Sequence, residues 1–200
     1  LKSIGYQGLE RCSGADSADL LNRAATFRRL GMDFATCNGP TPETTIQWTA
    51  ALGKHYVWTA VTGKDFNTFC RQVNHQAEAC RRWGIAVGLH NHLGSLVESQ
   101  SELETFLEAC PGCGLILDTA HLAAADGDPL DIVRRYADRL VAVHLKDWLL
   151  TNPETGLDNA AVMQALATSG YDGWVFVEHD THRQEPLKDL AISRQYLREA

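Results

Sequence analysis

The feature that most constrains how this chain can fold is the regular alternation of short apolar runs with amphipathic stretches along its whole length. Tyr6–Glu10, Asp33–Cys37, Tyr56–Val61, Ile85–His90, Gly114–Asp118, Leu140–His144 and Trp174–Glu178 read as strands. Several are continuously apolar, as parallel strands covered on both faces must be. The segments between them read as helices. One places Phe66, Phe69, Cys70, Val73, Ala77 and Cys80 on one face and ends at Gly84. Ser101 with Glu104 is read as a capping box. Asp128-Pro129 is read as a cap followed by proline at the first helical position. Asp16 or Ser17 opens the helix that ends at Gly31, and Pro186 starts the last one.

Strict strand–helix alternation predicts a parallel sheet in a single domain over residues 1–200. Four apolar runs end in groups that can bind a metal or move a proton: His90-Asn91-His92 after IAVGL, Asp118-Thr119-Ala120-His121 after GLIL, His144-Leu145-Lys146-Asp147 after LVAV, and Glu178-His179-Asp180 after WVFV. Their first members are 28, 26 and 34 residues apart, close to the roughly 30 residues of one strand-plus-helix unit of a parallel barrel. An open doubly wound sheet collects ligands at one switch point, whereas a barrel builds its site from the C-terminal ends of several strands. The expectation is therefore a TIM (β/α)8-type barrel. Seven strands are one fewer than the eight of a closed barrel. Leu1 to Gly5 reads as the last turn of a helix, so the first strand and most of the first helix are expected to be absent from this chain.

A lone histidine past a strand is usually a surface loop residue. Histidine and carboxylate at four successive strand ends point instead to a divalent metal site. Strand alternation puts His90 with His92, His144 with Lys146, and Glu178 with Asp180 on common sides.

The formal charge of −7 disfavours nucleic acid or an anionic membrane as partner, and no apolar run approaches the roughly 18 residues of a membrane span. The six cysteines fall largely in apolar stretches, as buried thiols do, and a reducing cytoplasm is the expectation. Cys110-Pro111-Gly112-Cys113 lacks a second ligand pair and reads as an inert loop. His55 and His75 read as surface residues, and His179 as a group that orients Glu178.

These motifs resemble the xylose-isomerase-like barrel superfamily of sugar isomerases and epimerases, inosose (2-keto-myo-inositol) dehydratases and 3-dehydroshikimate dehydratases. The resemblance is carried by His90-Asn91-His92-Leu93-Gly94-Ser95-Leu96-Val97-Glu98, by Asp118 to His121, by His144 to Asp147 and by GYDGWVFVEHD. It is nearest to the inosose dehydratase type and covers about the last 120 residues. Gly5 to Glu10 resembles the entry of the second strand. The resemblance implies one divalent ion, manganese or cobalt ahead of magnesium or zinc, held by Asp118, His144 and Glu178. His90 stands where the family usually has glutamate, as a fourth ligand or a substrate contact. It further implies catalytic roles for His92, His121 and Lys146. Glu10 and Glu98 are implied as substrate contacts, Glu98 equally as a supporting residue or a helix start. The implied function is a cytoplasmic lyase of inositol catabolism, dehydrating a small polyhydroxylated keto substrate through an enediolate. A sugar isomerase or epimerase is the alternative, and a homo-oligomer is compatible with either. A related endonuclease family binds DNA on this barrel with a zinc cluster, which the acidic charge argues against. A retired enzyme acting as a binding module is the last reading.

Overall fold

The computed structural model describes residues 1–146, 157–180 and 185–199, which form two compact units, Leu1–Gly88 and Leu89–Ala200. Asp147, the last member of the third motif, lies outside the described residues.

In the first unit a short 3₁₀ turn, Lys2–Ile4, ends at Gly5 in the left-handed region, as its reading as a helix end requires. Strand β1 (Gly8–Ser13) pairs in parallel with β2 (Asp33–Asn38). Helix α1 (Ser17–Arg29) connects them, capped by Asp16, whose Oδ1 accepts from the Asp19 N–H at 2.9 Å. Helix α2 (Pro42–Ala51) follows a Thr41 cap, and α3 (Phe66–Arg81) an Asp65 cap. Strand β3 (Tyr56–Trp58) pairs with β4 (Ala86–His90) from Tyr56↔Ala86 to Trp58↔Gly88. Cys12, Leu20, Phe34, Cys37 and Trp48 close the core between β1, β2 and their helices.

In this unit β1 and β3 depart most from the sequence reading. β1 begins two residues later than Tyr6 and continues through Arg11 to Ser13, because main-chain pairing with β2 persists to Ser13↔Asn38 although both side chains are exposed. β3 stops at Trp58 rather than Val61, because the Gln76 side chain takes over the main-chain groups there. Its amide donates to Trp58 O at 3.0 Å and its carbonyl accepts from Ala60 N at 2.9 Å.

In the second unit β5 (Cys113–Asp118), β6 (Leu140–Lys146) and β7 (Trp174–Glu178) run in parallel. The register sets Asp118 beside His144, and Lys146 beside Glu178. β6 thus continues two residues past His144, and Lys146 is a strand residue. Helices α4 (Gln100–Ala109), α5 (Thr119–Ala124), α6 (Pro129–Tyr136), α7 (Asn159–Thr168) and α8 (Pro186–Glu199) complete the unit. Its core includes Leu103, Phe106, Leu115, Ile116, Leu117, Leu122, Ile132 and Leu145. Asp128 caps α6 ahead of Pro129, as expected. The capping box of α4, however, is Ser99 with Glu102, not Ser101 with Glu104. Both pairs fit the Ser-x-x-Glu pattern, and the structure gives Glu104 to Arg135 at 2.6 Å instead.

All six cysteines are free and buried. Cys110 and Cys113 flank a turn whose carbonyls accept from the Arg139 guanidinium, in keeping with a structural loop. His55 and His75 are exposed. No helix among the described residues is long and apolar enough to cross a membrane.

Candidate metal centre

The ends of β4, β5, β6 and β7 bring His90, Asp118, His144 and Glu178 together, with one ligand atom from each within 4.8 Å of the others. This is the quartet expected from the sequence, His90 included. Asp118 is fully buried. Its Oδ1 caps α5 by accepting from His121 N at 2.9 Å. Its Oδ2 is buried without a hydrogen bond among the described residues, while His90 Nε2 stands 3.4 Å away and Lys146 Nζ 3.7 Å. A buried carboxylate oxygen without a hydrogen bond calls for a further partner. Two imidazoles and two carboxylates converging on it form a donor set of the borderline type that holds divalent transition ions. The residues present therefore fit such an ion.

The electrostatics agree. Burial would push the Asp118 carboxyl up, but His90, the His121 amide and the Lys146 charge outweigh it and hold it below the ordinary range. The Glu178 carboxyl is drawn down to about 2, first by the hydrogen bond from His144. That bond joins His144 Nδ1 and Glu178 Oε2 at 2.6 Å. Both carboxylates are thus ionised and ready as ligands at neutral pH.

Lys146 and His121 sit against the quartet. The Lys146 ammonium lies 3.0 Å from Glu178 Oε1, 3.1 Å from Asp180 Oδ2 and 3.1 Å from His121 Nε2. Burial works against its charge, but Glu178, Asp118 and Asp180 together keep it protonated beyond the ordinary lysine. An ammonium has only hydrogens to offer, so His121 Nε2 is the acceptor and the ring is neutral with its proton on Nδ1. Burial, the largest influence on His121, likewise favours its neutral form. The His92 ring lies against His121 with centroids 3.8 Å apart and planes tilted by 43°, and it is exposed.

The remaining expected residues have other surroundings. Glu98 accepts from the Gly94 amide at 2.7 Å and so shapes the loop after His92, where Gly94 holds a φ of +75°. Glu10, in the first unit, accepts from Trp58 Nε1 at 2.8 Å and Tyr56 OH at 3.2 Å. His179 points to Ser193 Oγ on α8 at 3.0 Å, away from Glu178.

Two side chains that sequence reasoning left without a role position the quartet. Asn91, fully buried, donates to Asp118 O at 3.0 Å and accepts from Asp118 N at 2.8 Å. Thr119 donates to His144 O at 3.1 Å and accepts from Lys146 N at 3.4 Å. The signal for both was a small polar residue immediately after an apolar strand.

A family model described as xylose isomerase-like TIM barrel matches residues 42–200. An inosose dehydratase of Lactiplantibacillus plantarum is 27% identical over 165 residues, 69% of this chain and 55% of its own length. A rhizopine catabolism protein of Rhizobium meliloti is 28% identical over 151 residues, 62% of this chain and 46% of its own. The chain thus spans about half the length of the curated relatives it matches. Among solved structures, a sugar phosphate isomerase/epimerase of Parabacteroides distasonis aligns with a TM-score of 0.80 at 15% identity, covering 100% of this chain and 89% of that one. At that identity the likeness is one of fold.

Proposed function

From the premise that this chain belongs to the xylose isomerase-like TIM barrel family, we propose that it is a divalent-metal-dependent lyase that dehydrates a polyhydroxylated keto substrate such as 2-keto-myo-inositol. The observation that carries the reading is the four-donor cluster flanked by a charged lysine and a neutral histidine. His90, Asp118, His144 and Glu178 would hold the ion, with manganese or cobalt suiting the mixed donors. When bound, the ion supplies Lewis-acid polarisation of a carbonyl and its neighbouring hydroxyl, on the order of several kcal/mol.

The chain's own residues supply the rest. His121, kept neutral, is the group able to take the proton beside the carbonyl once its Nε2 lone pair turns from Lys146 to the substrate. Lys146, kept charged, is placed to meet the oxygen on which negative charge develops. His92, exposed and in contact with His121, is suited to protonate the departing β-hydroxyl. Glu98 fixes the loop that carries His92 through the Gly94 amide. The curated relatives named inosose dehydratase support this substrate class.

The second reading is a sugar isomerase or epimerase, in which the same proton is returned to another carbon or face. The structural likeness to an L-ribulose 3-epimerase, with a TM-score of 0.76, keeps it in view. Manganese- or cobalt-loaded protein, with any natural extension of the chain included, should be incubated with scyllo-inosose and a panel of ketoses. Loss of water from the inosose, followed by its absorbance change, is the expected result. Interconversion of ketoses without dehydration would establish the second reading, and inertness of every substrate with the ion bound would overturn both.

A further inference from the structure

We propose that Asp180 is a positioning residue that keeps the Lys146 ammonium in the pocket when a cation occupies the four-donor cluster. This inference rests on the metal reading above. Among the described residues, the carboxylates within 4.0 Å of Lys146 Nζ are Asp118, Glu178 and Asp180. Two of these belong to the quartet. The ammonium therefore leans on groups that a cation would also claim, and it would compete with a cation for them.

A divalent ion at the cluster would draw on the same Glu178 and Asp118 oxygens and repel the ammonium as a like charge. Asp180 stands outside the quartet and keeps its full charge for Lys146. It sits two residues beyond Glu178, on the same side of the chain, with its Oδ2 3.1 Å from Nζ. His179 between them is turned the other way, onto Ser193 of α8. With Asp180 still accepting, the ammonium keeps a charged partner while Glu178 turns to the ion and His121 is released for the substrate. Lys146 then stays beside the reacting oxygen instead of leaving with the charge it lost.

Any nearby carboxylate favours a cation through the general field, so weaker metal binding after Asp180→Asn would not by itself identify this role. The test is a double-mutant cycle on metal affinity, measured by calorimetric titration of the metal-free protein with Mn²⁺. Asp180→Asn should lower the affinity about three- to tenfold in the parent, because Lys146 then falls back on Glu178, and Asp180→Glu should restore it. In a Lys146→Met background, with Lys146→Gln as the milder alternative should that variant fold poorly, the same Asp180→Asn change should alter the affinity by less than about 1.5-fold. An equal loss in both backgrounds would mean that Asp180 acts only as a surface charge, and no loss in the parent would remove it from the site. Either result overturns this proposal while leaving the metal reading intact. A parent that binds no Mn²⁺ would overturn the metal reading and, with it, this one.

Discussion

Asn91→Ala is the substitution with the largest consequence that the sequence motifs do not announce. The Asn91 side chain binds both main-chain groups of Asp118, at 3.0 and 2.8 Å, and both residues are wholly buried. Alanine would leave a buried N–H and a buried C=O without these partners, each costing about 1–3 kcal/mol. A total near 3 kcal/mol corresponds to a fall of about 6–12 °C in Tm for a chain of this size. Asn91→Asp should fare no better, because its carboxylate still accepts from Asp118 N but faces Asp118 O with no hydrogen to give. Asn91→Leu fills the volume and should be about as destabilised as alanine, which separates lost hydrogen bonds from lost packing. Thermal unfolding of the metal-free protein measures the total, and native-state hydrogen exchange at the Asp118 amide measures the local part. A Tm within about 2 °C of the parent, with the Asp118 amide still protected, would show that the end of β5 is held by something other than Asn91.

Asp118→Ala or Glu178→Ala should each abolish Mn²⁺ and Co²⁺ binding in calorimetric titrations, and full occupancy in both variants would end the ligand assignment. Lys146→Met and His121→Asn should retain the ion yet lower kcat by about 10²- to 10⁴-fold; turnover within about threefold of the parent would remove that residue from the chemistry. The Glu178 carboxyl, at about 2 when folded and 4.5 ordinarily, contributes stability that is present above pH 4.5 and lost as pH falls towards 2. Urea midpoints of the metal-free protein should therefore drop more steeply over that window in the parent than in Glu178→Gln, and parallel curves would contradict the low folded value.

The strand ends that carry the quartet were legible because each combined two independent signals, an apolar run that can only be a buried strand and a ligand-type residue where that run stops. All seven strands read from the sequence occur, although several boundaries differ, most of all those of β1 and β3. Their ends depend on main-chain pairing and on Gln76, and neither leaves a mark in local hydropathy. The true cap of α4 was ambiguous because Ser99/Glu102 and Ser101/Glu104 offer the same spacing. Asn91 and Thr119 were illegible as positioning residues for a different reason. Their partners, Asp118 and His144, lie 27 and 25 residues away along the chain, and only the strand register identifies them. Glu98 matched its motif position, yet its contact is with the Gly94 amide of its own loop.

The presence of His90 in the quartet gains a rationale once the charges around it are counted. Asp118 and Glu178 bring two negative charges to the cluster, enough to balance a divalent ion. A third carboxylate at position 90 would add a net negative charge against a buried Asp118 whose Oδ2 already lacks a hydrogen bond, and an uncompensated buried charge is costly. An imidazole at this position supplies a donor atom without a carboxylate's negative charge. Lys146 and Asp180 beside it form a pair of opposite charges that leaves the balance unchanged. The same lysine lies against Glu178 and near Asp118, so part of the positive charge that these carboxylates require comes from the chain itself, and Asp180 is the carboxylate outside the quartet that also meets it.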